Sequence, residues 1–122
     1  MVNFFSPANN LGTGKHAVNL IRAYEALGNE ICLIPPFGGV QFQDEGIARW
    51  LSNRERFSRS DPSIMIFDIP FFPNFSGIPK VGMAVFETDG FNALQIAALK
   101  SCDFLLTPSE WGKRVLAMHG FP

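Results

Sequence analysis

Val85-Phe86-Glu87-Thr88-Asp89, and then Asp103-Phe104-Leu105-Leu106-Thr107-Pro108-Ser109-Glu110-Trp111-Gly112-Lys113-Arg114, carry one design twice. In each an apolar strand stops at polar residues and a helical pattern begins, which is the grammar of a βα unit in a parallel sheet. Ligands of open parallel sheets bind just beyond the carboxyl ends of the strands, so polar groups gathered there are placed for function.

Working outward, Ser109 suits the N-cap of a helix over 110–119, with Gly120 just past its end. Residues 92–101 form a helix that is apolar nearly all round and is expected to be buried. Residues 80–86 and 63–67 read as apolar strands, the latter ended by Asp68. At the amino end, residues 2–5 form a short strand stopped by Ser6-Pro7 and followed by an Asn- and Gly-rich loop over 8–15. From Gly14 onward Ala17, Leu20, Ile21, Tyr24 and Leu27 make one helical stripe, with Gly28 in the left-handed cap position. Residues 30–34 are a buried strand stopped by Pro35-Pro36. In the middle, Ile47, Ala48, Trp50 and Leu51 suggest a short helix and residues 53–61 an exposed end or loop. The alternation predicts an α/β, Rossmann-like three-layer α/β/α domain with a mainly parallel sheet of about five strands in the order 3-2-1-4-5.

The 122 residues make one domain, and 47% apolar content is ample for a core. With 10 basic and 11 acidic residues there is no general attraction to nucleic acid or anionic lipid, so any anion must be held locally. Cys32 and Cys102 sit among hydrophobes and read as reduced, buried thiols. The first residues lack the basic flank and apolar run of a signal peptide, and no segment is long and apolar enough to span a bilayer. Cytoplasmic residence is the expectation, with peripheral membrane contact left open. The pattern stops one helix cap after the fifth strand, which predicts a partial or shortened domain with an exposed terminal edge.

Gly12-Thr13-Gly14-Lys15-His16-Ala17 has three readings. It fails as a phosphate-binding P-loop, because Asn9 and His16 stand where Gly and Ser or Thr are required. It matches Gly-x-Gly-x-x-Ala of dinucleotide binders. Its first glycine, however, lies too far beyond Phe5, and Pro35-Pro36 replaces the acidic residue expected after the second strand. The third reading is a glycine-rich loop opening a helix, whose amides face a phosphate or sugar hydroxyl, with charge added by Lys15, or else a plain flexible loop.

Glu87 and Asp89, one residue apart after a strand, can bind hydroxyls or act as a base, though Asp89 also suits a helix cap. Thr88 lies between them, and Ser109 and Glu110 occupy the equivalent place after the next strand, as cap and dipole partner first and ligand contacts second. His119 is expected only to favour the dipole at its helix end. His16 and His119 are the two histidines, and neither they nor the cysteines have metal-ligand spacing, so no metal is expected. A Gly-x-Ser-x-Gly elbow is absent. Phe71, Phe72 and Phe75, in a proline-bearing loop, form either a contact surface or part of the core.

Together these motifs resemble the amino-terminal domain of GT-B retaining glycosyltransferases that use nucleotide-sugar donors. The resemblance rests on Gly12-Thr13-Gly14, the helix after it, Gly28-Asn29-Glu30-Ile31 and Phe86-Glu87-Thr88-Asp89. It also rests on Ala98-Leu99-Lys100-Ser101-Cys102-Asp103 leading into Thr107-Pro108-Ser109-Glu110-Trp111. It implies an acceptor-side domain facing a carboxy-terminal donor-binding domain, or partner chain, that lies outside these residues. The cleft between the two would react without metal or cofactor, the nucleotide sugar being substrate. Glu87 and Asp89 are the implied catalytic residues; Gly12, Thr13, Gly14, Lys15, Thr88, Ser109 and Glu110 are the implied substrate contacts. Relatives often place a histidine where Glu87-Thr88-Asp89 stands, a departure from the family pattern. The chain alone is expected to be inactive. A non-catalytic interaction module is the alternative, with a flavodoxin-like small-nucleotide or cofactor binder third. Nucleic acid is not an expected partner, and a homodimer through the exposed edge or through residues 71–75 is left open.

Overall fold

A computed structural model describes residues 1–9, 12–36, 40 and 44–121. Residues 10 and 11, within the loop expected after the first strand, lie outside the described residues. The elements run β1 (Val2–Phe5), α1 (Gly12–Ala26), β2 (Ile31–Ile34), α2 (Glu45–Ser52), β3 (Ser63–Met65), β4 (Lys80–Met83), α3 (Ala93–Lys100), β5 (Phe104–Leu106) and α4 (Glu110–Met118). Short 3-10 turns follow α2 and β3, at Asn53–Arg56 and Ile69–Asn74. None of the described helices is long and apolar enough to cross a membrane.

All five strands are parallel, so the α/β, Rossmann-like architecture stands. Their order is β2-β1-β3-β4-β5, which corrects the expected 3-2-1-4-5. The third strand pairs with β1, Phe4 against Ile64, instead of lying outside β2. Burial accounts for this. Every residue of β3 is buried, which requires a central place, whereas the outer side of β2 is sealed by the chain that follows it. There Trp50 is buried in α2, and the Asn53 side-chain amide donates to the Ile31 carbonyl at 2.7 Å. The return to β3 passes the opposite face, where the Phe57 ring packs edge-on against Phe5 at 6.1 Å. On that side the Asn3 amide also donates to the Ser58 carbonyl and the Ser63 hydroxyl.

Period-two alternation sorts the strand side chains into two apolar layers. Phe4, Leu33 and Ile64 join Ala17, Val18 and Ile21 of α1 and Ile47 and Trp50 of α2. On the other face Met65 and Ala84 join Phe72, Phe75, Ala98 and Leu99, with Leu116 of α4. Glycine at Gly82 is required by the second layer, since a Cβ there would lie 2.5 Å from the Phe72 ring and 2.9 Å from the Cys102 sulfur. Burial raises the thiol pKa values of Cys32 and Cys102, and both are free.

Local signals held where they were local. Gly28 and Gly120 have φ of 93° and 87° beyond their helices, and the Ser109 hydroxyl accepts from the Gly112 N–H at 3.0 Å. Other expectations change. β3 and β4 end at Met65 and Met83, short of the anticipated 67 and 86, so residues 87–89 do not follow their strand directly. Leu27 lies past the end of α1 and is 81% exposed. The apolar α3 buries only Ala98 and Leu99, because it packs one side on the layer of the 3-10 turn Ile69–Asn74 and leaves Leu94 in solvent. Phe72 and Phe75 fold back into the core, Phe71 is partly buried against it, and Pro73 and Asn74 are exposed.

Glu25 joins α1 to α2 by accepting from Arg49 at 2.5 Å and from the Trp50 indole at 3.0 Å. The Arg49 hydrogen bond first, then that of Trp50, holds the Glu25 carboxyl below its ordinary pKa. Arg56 pairs with Glu30 on the same side of the molecule.

Candidate functional site

The chain moves one way from β1 to β2 and the other way from β3 to β5, so the sheet has its switch point between β1 and β3. At the carboxyl ends of these strands α1 begins. The bridge between Ala8 and Val40 ties the loop after β1 to the one after β2. Gly12, Thr13 and His16 of α1, Ile66 after β3, Val85 after β4 and Pro108 after β5 line one open cavity of about 310 Å3. Three strand ends and one helix start therefore converge on a single rim.

The two helix starts on this rim differ in electrostatics. The first turn of α4 carries Glu110, and its cap is supplied by Ser109. The first turn of α1 has no acidic residue, so its positive end is not offset by a carboxylate of that turn. Ser109 caps α4, Glu110 stands in its first turn, and both line a separate cavity of about 400 Å3 with Leu105, Lys113 and Leu116. Pro108 borders both cavities.

The glycines also divide. A Cβ on Gly12 would meet nothing within 4 Å, so the space before it is open. Gly14 is buried, and a Cβ there would collide with the Asn9 side chain and lie 2.7 Å from the Asn9 backbone nitrogen. Gly14 therefore allows close packing of the first turn on the preceding loop. Lys15 borders another groove with Val18, Asn19 and Arg22, on the outer side of α1, and is not brought to the rim cavity. Thr13 stays with Gly12 at the cavity.

Glu87 and Asp89 are exposed on the loop that continues from Val85. Asp89 is not the cap of α3. Asn92 is, with its side chain accepting from the Gln95 N–H at 2.8 Å and the Gln95 side chain accepting from the Asn92 N–H at 2.9 Å. The Thr88 hydroxyl donates within the loop to the Gly90 carbonyl at 3.3 Å. His119 does more than favour a dipole: its Nε2 donates to the Asp89 carbonyl at 2.9 Å, and its ring packs on Phe91 at 4.9 Å. Phe91 stacks edge-on against Phe86, which in turn meets Trp111 at 5.6 Å. A chain of rings thus fastens the acidic loop to α4.

His119→Ala should raise amide exchange of residues 89–91 severalfold while costing only about 1 kcal/mol of global stability, the worth of one such bond. Exchange measured by NMR checks this, and His119→Gln, whose amide can still donate, should restore part of the protection.

Sequence reasoning assigned no role to His16, which the structure places on the cavity wall. The signal was its spacing from Gly12, one helical turn on the same face. Among the described residues no three His, Cys, Asp or Glu side chains are grouped to hold a metal ion. No protein-family model, curated protein or solved structure matches the chain.

Proposed function

We propose that this chain is the acceptor-side half of a nucleotide-sugar-dependent glycosyltransferase, with the opposing wall of its cleft supplied by a donor-binding domain or partner chain. One observation carries the reading: the start of α1, with Gly12, Thr13 and His16, opens onto a cavity shared with Val85, and the exposed carboxylates of Glu87 and Asp89 belong to the loop that continues from Val85. The motif resemblance to GT-B enzymes supports it. Breaking a sugar–phosphate bond builds negative charge on the leaving diphosphate, and helix-start amides aimed at that charge stabilise its departure. Glu87 and Asp89 accept hydrogen bonds from acceptor hydroxyls and hold the attacking oxygen, one of them taking its proton. Thr13 and His16 supply further polar contacts. With a single wall the cleft stays wet, so the chain alone binds weakly and does not turn over.

The strand order β2-β1-β3-β4-β5 favours a second reading, a small-nucleotide binder, because it is the order of flavodoxin-like sheets, which hold ligands at this switch point. One titration separates the two. Millimolar UDP-glucose should shift the amide resonances of Gly12, Thr13, His16 and Val85, without sugar release. Turnover by the chain alone, or no shift at these amides, would sink the transferase reading. Saturable micromolar flavin mononucleotide binding at the same amides would establish the second.

A further inference from the structure

The described walls of the rim cavity come from the start of α1 and from the residues after β3, β4 and β5, at the carboxyl ends of the strands. Ligands of open parallel sheets bind at this place, so the occupant to expect is a small molecule and not a packed chain. The walls are mostly carbon. Ile66, Val85 and Pro108 present aliphatic side chains, Gly12 has none, and the polar side chains are those of Thr13 and His16. These two stand three residues apart and therefore on one face of α1, so the polar groups lie to one side while the aliphatic groups come from the strand ends. Among the described lining residues there is no carboxylate, ammonium or guanidinium group.

That lining selects among ligands. A hexose carries hydroxyls around its whole edge and would leave most of them against carbon without partners, which costs free energy for each. A flexible acyl chain loses rotational freedom on being held. A flat aromatic ring is rigid, buries apolar surface on the aliphatic walls, and needs a polar partner only where it bears a hydroxyl, which Thr13 or His16 can meet. The size agrees. An apolar cavity of about 150 Å3 takes benzene, so one of about 310 Å3 has room for a substituted ring or two fused rings. Sites for small ligands are commonly built this way, with apolar walls and a few placed polar groups.

We propose that the acceptor is an aromatic alcohol of the phenol class, its ring seated in the rim cavity and its hydroxyl turned toward Thr13 and His16. This rests on the transferase reading and names its acceptor. Phenol titrated into the full chain should shift the methyl resonances of Val85 and Thr13 saturably, with a millimolar dissociation constant. Cyclohexanol and glucose should bind there at least tenfold more weakly. Val85→Lys, at a position 52% exposed and shown folded by circular dichroism, should weaken phenol tenfold or more. No saturable shift at these methyls, or cyclohexanol or glucose binding as tightly as phenol, overturns the proposal. The three-ligand comparison uses the unaltered chain, so it decides the matter even if the variant unfolds. The two readings fail separately. A UDP-glucose response at the rim with phenol silent overturns the aromatic acceptor alone. Phenol binding with no UDP-glucose response overturns the transferase and the acceptor role with it, and leaves the ring site established.

Discussion

Phe72→Ala is expected to destabilise the fold by about 3–5 kcal/mol, the cost of emptying a fully buried aromatic site. Phe72 has no solvent exposure, and its ring occupies the space that Gly82 leaves on β4 while meeting the Phe75 ring at 6.4 Å. The site cannot collapse easily, because the sheet lies on one side and the 3-10 turn that carries the ring is fixed between Pro70 and Pro73. Domains of this size have roughly 5–15 kcal/mol in hand, so the variant should lose a large fraction of it. The urea midpoint should fall sharply. Leu94→Ala, at a 64% exposed position of α3, should move it by no more than about 0.5 kcal/mol.

Gly14→Val should cost about 1–3 kcal/mol or more by overpacking, because the new side chain enters space held by Asn9, partly by its backbone. Gly12→Val, two residues earlier and in open space, should change stability by less than about 1 kcal/mol. The contrast matters for the site. Loss of ligand response in Gly14→Val would reflect a displaced first turn, whereas the same loss in a fully folded Gly12→Val would place the ligand against that residue. Thermal unfolding of both variants, read beside the UDP-glucose titration, separates the two effects.

Elements set by near neighbours were legible in the residues. Ser109, Gly28 and Gly120 cap helices through atoms a few positions away, and the alternation of strand and helix implies a parallel sheet whatever its order. What failed depended on distant partners. Strand order is decided by which strand must be buried on both faces, and nothing within Ser63–Met65 announces that its partner is Phe4. Asp89 and Asn92 are equally good caps by type. Only the answering Gln95 side chain decides between them. The rings of residues 71–75 could not be placed inside or outside until Gly82 was seen to make room for one of them. Gly12 and Thr13, named from the βα grammar, line the rim cavity; Glu87 and Asp89 lie on the exposed loop after Val85, Lys15 faces another way around α1, and His16 was passed over.

The ring chain from Phe91 through Phe86 to Trp111 gives the rim an optical readout. The chain has two tryptophans, and Trp50 is sealed in the core at 1% exposure, whereas Trp111 sits at 40% exposure against the acidic loop. The emission of one indole is insulated from solvent, and that of the other tracks the polarity and packing of the loop that carries Glu87 and Asp89. Quenching by iodide should therefore report on one edge of this molecule alone, with a steady internal standard supplied by the same polypeptide.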